Sequence, residues 1–205
     1  MKNKIIKDAL ALTLITLVAG VALGGVYEIT KDPIAKQEAQ AKAEAYEQVF
    51  TDAAAFEEVE MDDTLIQTIR DQLDQEGYKA QSIEEVMRAE DQSGETLGYA
   101  FAVVTSEGYG GDIRFSMGVQ NDGTLNGISI LSIGETAGLG MNADTPAFKD
   151  QFVGKQVEKL QYTKNGATQD DEINAISGAT VTTNAMTNGV NAGLCAFRVM
   201  EGGDQ

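Results

Sequence analysis

Four side-chain hydroxyls fall within seven residues at Ser177-Gly178-Ala179-Thr180-Val181-Thr182-Thr183. Hydroxyls of this kind become nucleophiles when a neighbour or an enzyme activates them, and serve as caps when they stand at the start of a helix. A helix is predicted to start here. The apolar residues Val181, Met186, Val190, Leu194, Phe197 and Met200 recur at steps of three to five, which is the helical period with one buried face. Thr180 is thereby placed at or near the N-terminus, where the first N–H groups lack intrahelical partners and the macrodipole is positive. A phosphate is stabilised at such a point without any basic side chain. Gly178 and Ala179 leave room for a ligand to approach the backbone. Local chemistry alone leaves two readings open, a plain N-cap at Ser177 or Thr180 and a phosphate site.

Two glycine-containing loops offer a second set of candidates. Ile113, Phe115, Met117 and Val119 alternate with Arg114, Ser116, Gly118 and Gln120, and Asn121-Asp122-Gly123 turns the chain into Leu125–Ile133, which predicts an antiparallel hairpin. Gly108-Tyr109-Gly110-Gly111 leads into this hairpin and Gly134-Glu135-Thr136-Ala137-Gly138-Leu139-Gly140 leads out, so both loops belong at the same end of it. Neither matches a dinucleotide fingerprint, and no Gly-Lys-Ser/Thr of a nucleotide hydrolase follows the glycines. Taken alone they read as turns more readily than as sites.

Absences narrow the chemistry. The 205 residues contain 15 Lys+Arg and 32 Asp+Glu, a net charge of -17 that sets the chain against nucleic-acid phosphates. There is no His and one Cys, which excludes an internal disulfide, a thioether-linked haem, a cysteine-ligated iron–sulfur cluster, and any His-based triad or zinc site. Cys195 falls in the last predicted helix and reads as a buried, inert thiol. Any redox function must borrow a cofactor.

Taken together, the motifs resemble those of a known family. Ser177-Gly178-Ala179-Thr180 with Thr182 is similar to the S/T-G-A-T/S-x-T/S signature of the FMN-binding domain found in the G subunit of the Rnf electron-transport complex and in the C subunit of the sodium-pumping NADH:quinone oxidoreductase. The loop at Glu135-Thr136-Ala137-Gly138-Leu139-Gly140 resembles that family's E-T-P-G-L-G element, with Ala137 where proline is usual, and Gly108-Tyr109-Gly110-Gly111 resembles its G-Y-x-G loop. Phe148–Lys155 resembles the short helix that follows. The family usually has Asp three residues before the serine; here that place holds Asn174, which keeps the shape and one acceptor and drops the charge.

The resemblance implies a cofactor and its site. A flavin transferase would join FMN through its phosphate to the Thr180 hydroxyl, while flavin linkage through histidine is ruled out by composition. Ser177, Gly178, Ala179, Thr182, Thr183, Glu135, Thr136, Leu139, Gly140, Tyr109 and Gly110 would form the rest of the cofactor site, with Thr182 and Thr183 as hydrogen-bonding or capping residues. No catalytic acid or base and no metal is implied.

The elements that must position these residues follow from the rest of the chain. Lys2, Lys4 and Lys7 precede an uncharged run from Ala9 to Tyr27, 19 residues, which at about 1.5 Å each span a bilayer's hydrocarbon core. A cleavable signal peptide is the rival reading, but the run is long for one. The lysines place the N-terminus in the cytoplasm and everything after Tyr27 outside. Gly20-x-x-x-Gly24 would admit a second transmembrane helix at close range. Asp32-Pro33 reads as an N-cap and first helical proline, opening a helix through Phe50 that is either a stalk or the first helix of the domain. Leu65, Ile69 and Leu73 predict a helix over 64–75, strands are expected from about Ser82, and Leu97–Thr105 reads as one of them.

The expected architecture is α+β: a cytoplasmic N-terminus at 1–8, a membrane helix at 9–29, a helical stalk or linker at 30–58, and an antiparallel-sheet FMN-binding domain with packed helices at 59–205. The function implied by the resemblance is electron relay through covalent FMN as the G subunit of a membrane-bound ferredoxin:NAD+ oxidoreductase that drives Na+ or H+ transport, alongside other membrane and peripheral subunits. The C subunit of the quinone-reducing relative, a lone extracytoplasmic flavin carrier, and a non-redox anchored binding module are the alternatives.

Overall fold

In a computed structural model, which describes residues 2–203, the alternation seen in the sequence becomes one antiparallel sheet. Its strands are β1 (Ala55–Glu58), β2 (Gln81–Glu90), β3 (Thr96–Thr105), β4 (Ile113–Gln120) and β5 (Leu125–Ser132), paired in that order. Sequential order is what short turns produce, and Asn121-Asp122-Gly123 supplies the tightest: the Thr124 N–H donates to Asp122 Oδ1 at 2.9 Å and Gly123 takes φ +83°. The helices are α1 (Lys2–Val49), α2 (Asp63–Glu76), the short α3 (Pro146–Lys149) and α4 (Thr180–Gly203). A parallel pair, β6 (Gln161–Thr163) and β7 (Glu172–Asn174), lies between α3 and α4 in the chain.

The contacts divide the chain after Ala41. In the first unit the helix from Lys4 on is long and apolar enough to cross a membrane, with exposed Leu10, Leu14, Leu17 and Val21 along it. The helix start expected at Asp32-Pro33 is absent: α1 runs through Pro33 without a break. One lost backbone hydrogen bond is tolerated in a helix that continues through the Ala-, Lys-, Gln- and Glu-rich segment after the proline.

The second unit begins inside α1, and Ala45, Tyr46, Val49 and Phe50 are buried there. Tyr46, Val49 and Phe50 cover one face of the sheet over Ala89 and Ala100. Contact is close because the strands offer small residues: a Cβ on Gly118 would stand 2.8 Å from the Val49 carbonyl oxygen. Lys42 Nζ and Tyr46 Oη both donate to Glu85 Oε2, at 2.7 and 2.9 Å. Burial pushes the Glu85 carboxyl up, but these two hydrogen bonds and the lysine charge outweigh it and leave the group below its ordinary value.

On the other face α4 and α2 pack against Val86, Phe101, Val103, Phe115, Met117 and Val119. Here the relation is reversed, with glycines on the helix meeting large side chains on the strand. A Cβ on Gly189 would lie 2.8 Å from the Phe115 ring, and one on Gly193 would overlap Met117 Sδ. With both faces covered, β3 is buried almost continuously from Ala100 to Thr105. Cys195 is fully buried in this layer, its Sγ 3.4 Å from Glu76 Oε1; burial first, then that carboxylate, pushes the thiol up to about 12.

The expected helix at 64–75 and the strands at 97–105, 113–120 and 125–133 form within one residue of those bounds, and the helix expected at 181–200 runs three residues further, to Gly203. The short helix expected at 148–155 instead begins at Pro146, tightens to a 3₁₀ turn over Asp150–Phe152 and ends there. Val181, counted among the buried face of the last helix, is half exposed: it belongs to the first turn, before the helix reaches the sheet.

Gly189→Val tests the close packing of α4. Forcing a branched side chain against Phe115 should cost about 1–3 kcal/mol. In a domain of this size that lowers the thermal midpoint by about 2–4 °C per kcal/mol, read by circular dichroism.

Candidate FMN site

Three segments far apart in the sequence meet at one end of the sheet. The β3–β4 loop holds Tyr109, the segment after β5 holds Glu135, Thr136, Leu139 and Gly140, and the approach to α4 holds Gly178 to Thr182; together they line a cavity of about 530 Å³. Glu135 joins the first two. Its side chain is buried, and Oε1 accepts from the Tyr109 N–H at 2.7 Å and the Gly110 N–H at 3.3 Å. The second loop then turns on itself, with the Leu139 and Met141 N–H groups both donating to the Thr136 carbonyl. Gly140 is required where this turn meets the helix: a Cβ there would stand 2.5 Å from Glu135 Oε2 and 2.6 Å from Thr182 Oγ1.

The α4 start is built by a tight turn. Gly178 takes φ +75°, a conformation L side chains resist, and the Ala179 N–H donates to the Ile176 carbonyl at 3.1 Å. Thr183 then locks the turn from behind: its buried hydroxyl accepts from the Ile176 N–H at 3.0 Å and donates to the Ala179 carbonyl at 2.9 Å. Thr180 is the first helical residue. The Thr183 N–H makes a helical bond to Ala179, so the N–H groups of Thr180, Val181 and Thr182 precede the ladder at the positive end of the dipole.

Nine of the twelve residues singled out in the sequence line the cavity: Tyr109, Glu135, Thr136, Leu139, Gly140, Gly178, Ala179, Thr180 and Thr182. Ser177 is exposed outside it, Thr183 lies buried behind the turn, and Gly110 is tied to the site through Glu135. Val181 lines the cavity too, although its apolar character and spacing assign it to the core when the sequence is read alone. Tyr109, Leu139 and Val181 are 76%, 43% and 50% exposed, an apolar rim suited to a flat aromatic ring beside a helix terminus suited to a phosphate. Among the lining residues the one charged side chain is Glu135, so no base competes with the backbone for an anion.

Comparison with known proteins sets this cavity within a family. Residues 108–194 match the FMN-binding domain family, a span that starts at the first loop and ends in α4 and so contains every lining residue; residues 1–49 match the RnfG N-terminal region. The G subunit of the Na(+)-translocating ferredoxin:NAD(+) oxidoreductase complex of Acetobacterium woodii is 32% identical over 95% of this chain and 92% of its own length. The chain belongs to the RnfG family.

The G subunit of the proton-translocating ferredoxin:NAD(+) oxidoreductase complex of Clostridium ljungdahlii is 28% identical over 98% of this chain and 96% of its own length. By contrast, the C subunit of the Na(+)-translocating NADH-quinone reductase of Pasteurella multocida is 41% identical over 35% of this chain and 31% of that protein. The likeness to the quinone-reductase protein is thus local, and that to the RnfG proteins runs the length of the chain. Among solved structures, the NqrC protein of Shewanella oneidensis superposes with a TM-score of 0.49 at 21% identity, over 58% of this chain and 59% of that one.

Asn174, which departs from the family's usual Asp, sits on β7 with its Oδ1 accepting from the Ala167 N–H at 2.7 Å. That bond needs an acceptor oxygen and no charge, so the amide fulfils it.

Removing the Thr183 hydroxyl isolates its local role. Thr183→Val should leave the buried Ile176 N–H without a partner and cost about 1–3 kcal/mol, whereas Ser177→Ala, at an exposed position, should stay within about 0.5 kcal/mol of the unmodified chain in denaturant titration.

Proposed function

We propose that the chain is the electron-relay subunit of a membrane-bound ferredoxin:NAD+ oxidoreductase that couples electron transfer to Na+ or H+ translocation, carrying FMN esterified through its phosphate to Thr180 Oγ1. The observation that carries this reading is the convergence of three family motifs on one cavity, with Thr180 as the first residue of the helix that borders it. The residues present fit the group. The unpaired N–H groups at Thr180–Thr182 suit the phosphate, Gly140 and Gly178 let the second loop close against the helix start, and Tyr109, Leu139 and Val181 offer apolar surface for the ring. Bound FMN supplies the capacity to take up and pass on electrons singly or in pairs. The protein's part is to hold and orient it; relay requires no general acid or base, which agrees with a chain lacking histidine.

The relatives carry different ions in their names, Na(+) in Acetobacterium woodii and proton in Clostridium ljungdahlii. The other membrane and peripheral subunits of such a complex would be its donor and acceptor, and a flavin transferase would act during maturation. Lys2, Lys4 and Lys7 before the apolar helix support a cytoplasmic N-terminus and an extracytoplasmic domain in a single-pass arrangement. Residues 9–29 would cross the bilayer and 30–41 would form a stalk or linker; the FMN-binding domain would begin near Lys42 and not at 59, because Tyr46, Val49 and Phe50 pack on the sheet and Ala55–Glu58 is one of its strands. Added to wall-stripped intact cells, protease should remove the domain; cleavage seen only after permeabilisation would reverse the orientation.

Thr180→Val preserves the β-branched shape and deletes the nucleophile. Produced with the flavin transferase, this variant should fold and reach the membrane but lose in-gel flavin fluorescence and the FMN mass on the peptide bearing residue 180, while Thr182→Val retains some of both. Full flavinylation of the Thr180 variant would refute the linkage.

A further inference from the structure

Glu107 lies outside every motif considered above, yet it is the one carboxylate that joins the β3–β4 loop to α4 among the described side-chain hydrogen bonds. It stands two residues past the end of β3, and its backbone is anchored, the Glu107 N–H donating to Thr105 Oγ1 at 3.4 Å and the neighbouring Ser106 N–H to the Ala80 carbonyl at 2.9 Å. From that fixed base the half-buried side chain reaches across to the helix. Its Oε2 accepts from Asn188 Nδ2 at 2.7 Å and from Asn184 Nδ2 at 3.3 Å. Asn184 and Asn188 are one turn apart on α4, and Asn184 stands four residues after Thr180. Two residues beyond Glu107, Tyr109 forms an exposed wall of the cavity, its N–H held by Glu135 from the other side.

We propose that Glu107, through Asn184 and Asn188, is the positioning residue that fixes Tyr109 over the flavin site relative to Thr180. This rests on the reading of the cavity as the FMN site. The argument is one of attachment points. Glu135 ties the tyrosine backbone to the second loop, which itself meets α4 at Gly140, so the first loop reaches the helix on that side only through an intermediary; the Glu107 strap ties it directly to the helix that carries the attachment point. With both in place the tyrosine and Thr180 are held in one rigid frame. An anionic acceptor shared by two amide donors is a strong form of such a tie, because the hydrogen bonds are charge-assisted. The strap touches no cavity atom itself, so its effect on a bound ring passes through Tyr109.

The test uses the full-length chain produced with the flavin transferase, in Glu107→Ala, Glu107→Gln, Tyr109→Ala and the Glu107→Ala/Tyr109→Ala double variant. FMN mass on the peptide bearing residue 180, thermal midpoint, iodide quenching of flavin fluorescence and the flavin midpoint potential are measured on each. Glu107→Ala should retain the FMN mass, but local opening of the loop should raise the iodide quenching constant about two-fold and shift the potential. Glu107→Gln keeps an acceptor oxygen for both asparagines and should recover most of the protection. Tyr109→Ala should raise quenching at least as far, and the double variant should match Tyr109→Ala alone, since residues acting in series are not additive. If Glu107→Ala prevents folding, Asn184→Ala/Asn188→Ala severs the strap from the helix side and should give the same rise. Unchanged quenching and potential in the strap variants, a glutamine variant as open as the alanine one, or additive effects in the double variant would each overturn the proposal. Absence of the FMN mass from the unmodified chain would instead overturn the cofactor reading beneath it, and the proposal with it.

Discussion

The carboxylate of Glu135 is the point at which two loops become one site. Neither loop has a core of its own, and their glycines give them no side chains to interlock. One buried acceptor taking the Tyr109 and Gly110 N–H groups satisfies two donors that would otherwise be left at the mouth of a cavity, and it fixes the distance between the segments that carry them. The opposite oxygen of the same group lies against Gly140, so the turn toward α4 is shaped by it too. The cavity lining therefore depends on a residue whose main contacts are with backbone.

Behind the loops, the sheet is rigid because it is packed from both sides by complementary use of glycine. The segment at the end of α1 brings large side chains to small strand residues, while α4 brings glycines to Phe115 and Met117. Asn191 adds a polar clamp, its side chain donating to the Leu160 carbonyl and accepting the Leu160 N–H. Together with Asn184 and Asn188 it places amides at three helical turns of α4, binding separate parts of the chain that the helix must hold in register.

Much of this was legible in the sequence because it is written in local pattern. Period-two alternation marks β4, period 3.6 marks α2 and α4, and Asn-Asp-Gly marks the turn; each is decided by backbone geometry within a few residues. The cavity was legible in a different way, through motifs whose spacing a resemblance could interpret. What was not legible depends on tertiary context. Val181 has the same apolar character as the core residues of α4 and differs only in standing before the sheet begins. Pro33 fits a helix start as well as an interior that tolerates it. The strands β6 and β7 are three residues each and are parallel, with no turn between them to announce the pairing. Glu107 is one acidic residue among 32, and only the asparagines at i and i+4 on α4 hinted at an acceptor for them to share.

Cys195, sealed between α4 and Glu76, has a consequence beyond packing. A thiol reacts with disulfides and peroxides as its thiolate, and with the group pushed up to about 12 the buried sulfur stays protonated at neutral pH. Since this is the chain's single cysteine, the folded domain has no sulfur with which to cross-link to a second copy or to a neighbouring protein. A protein proposed to pass electrons on the outer side of a membrane thereby keeps its own side chains out of the thiol exchange around it.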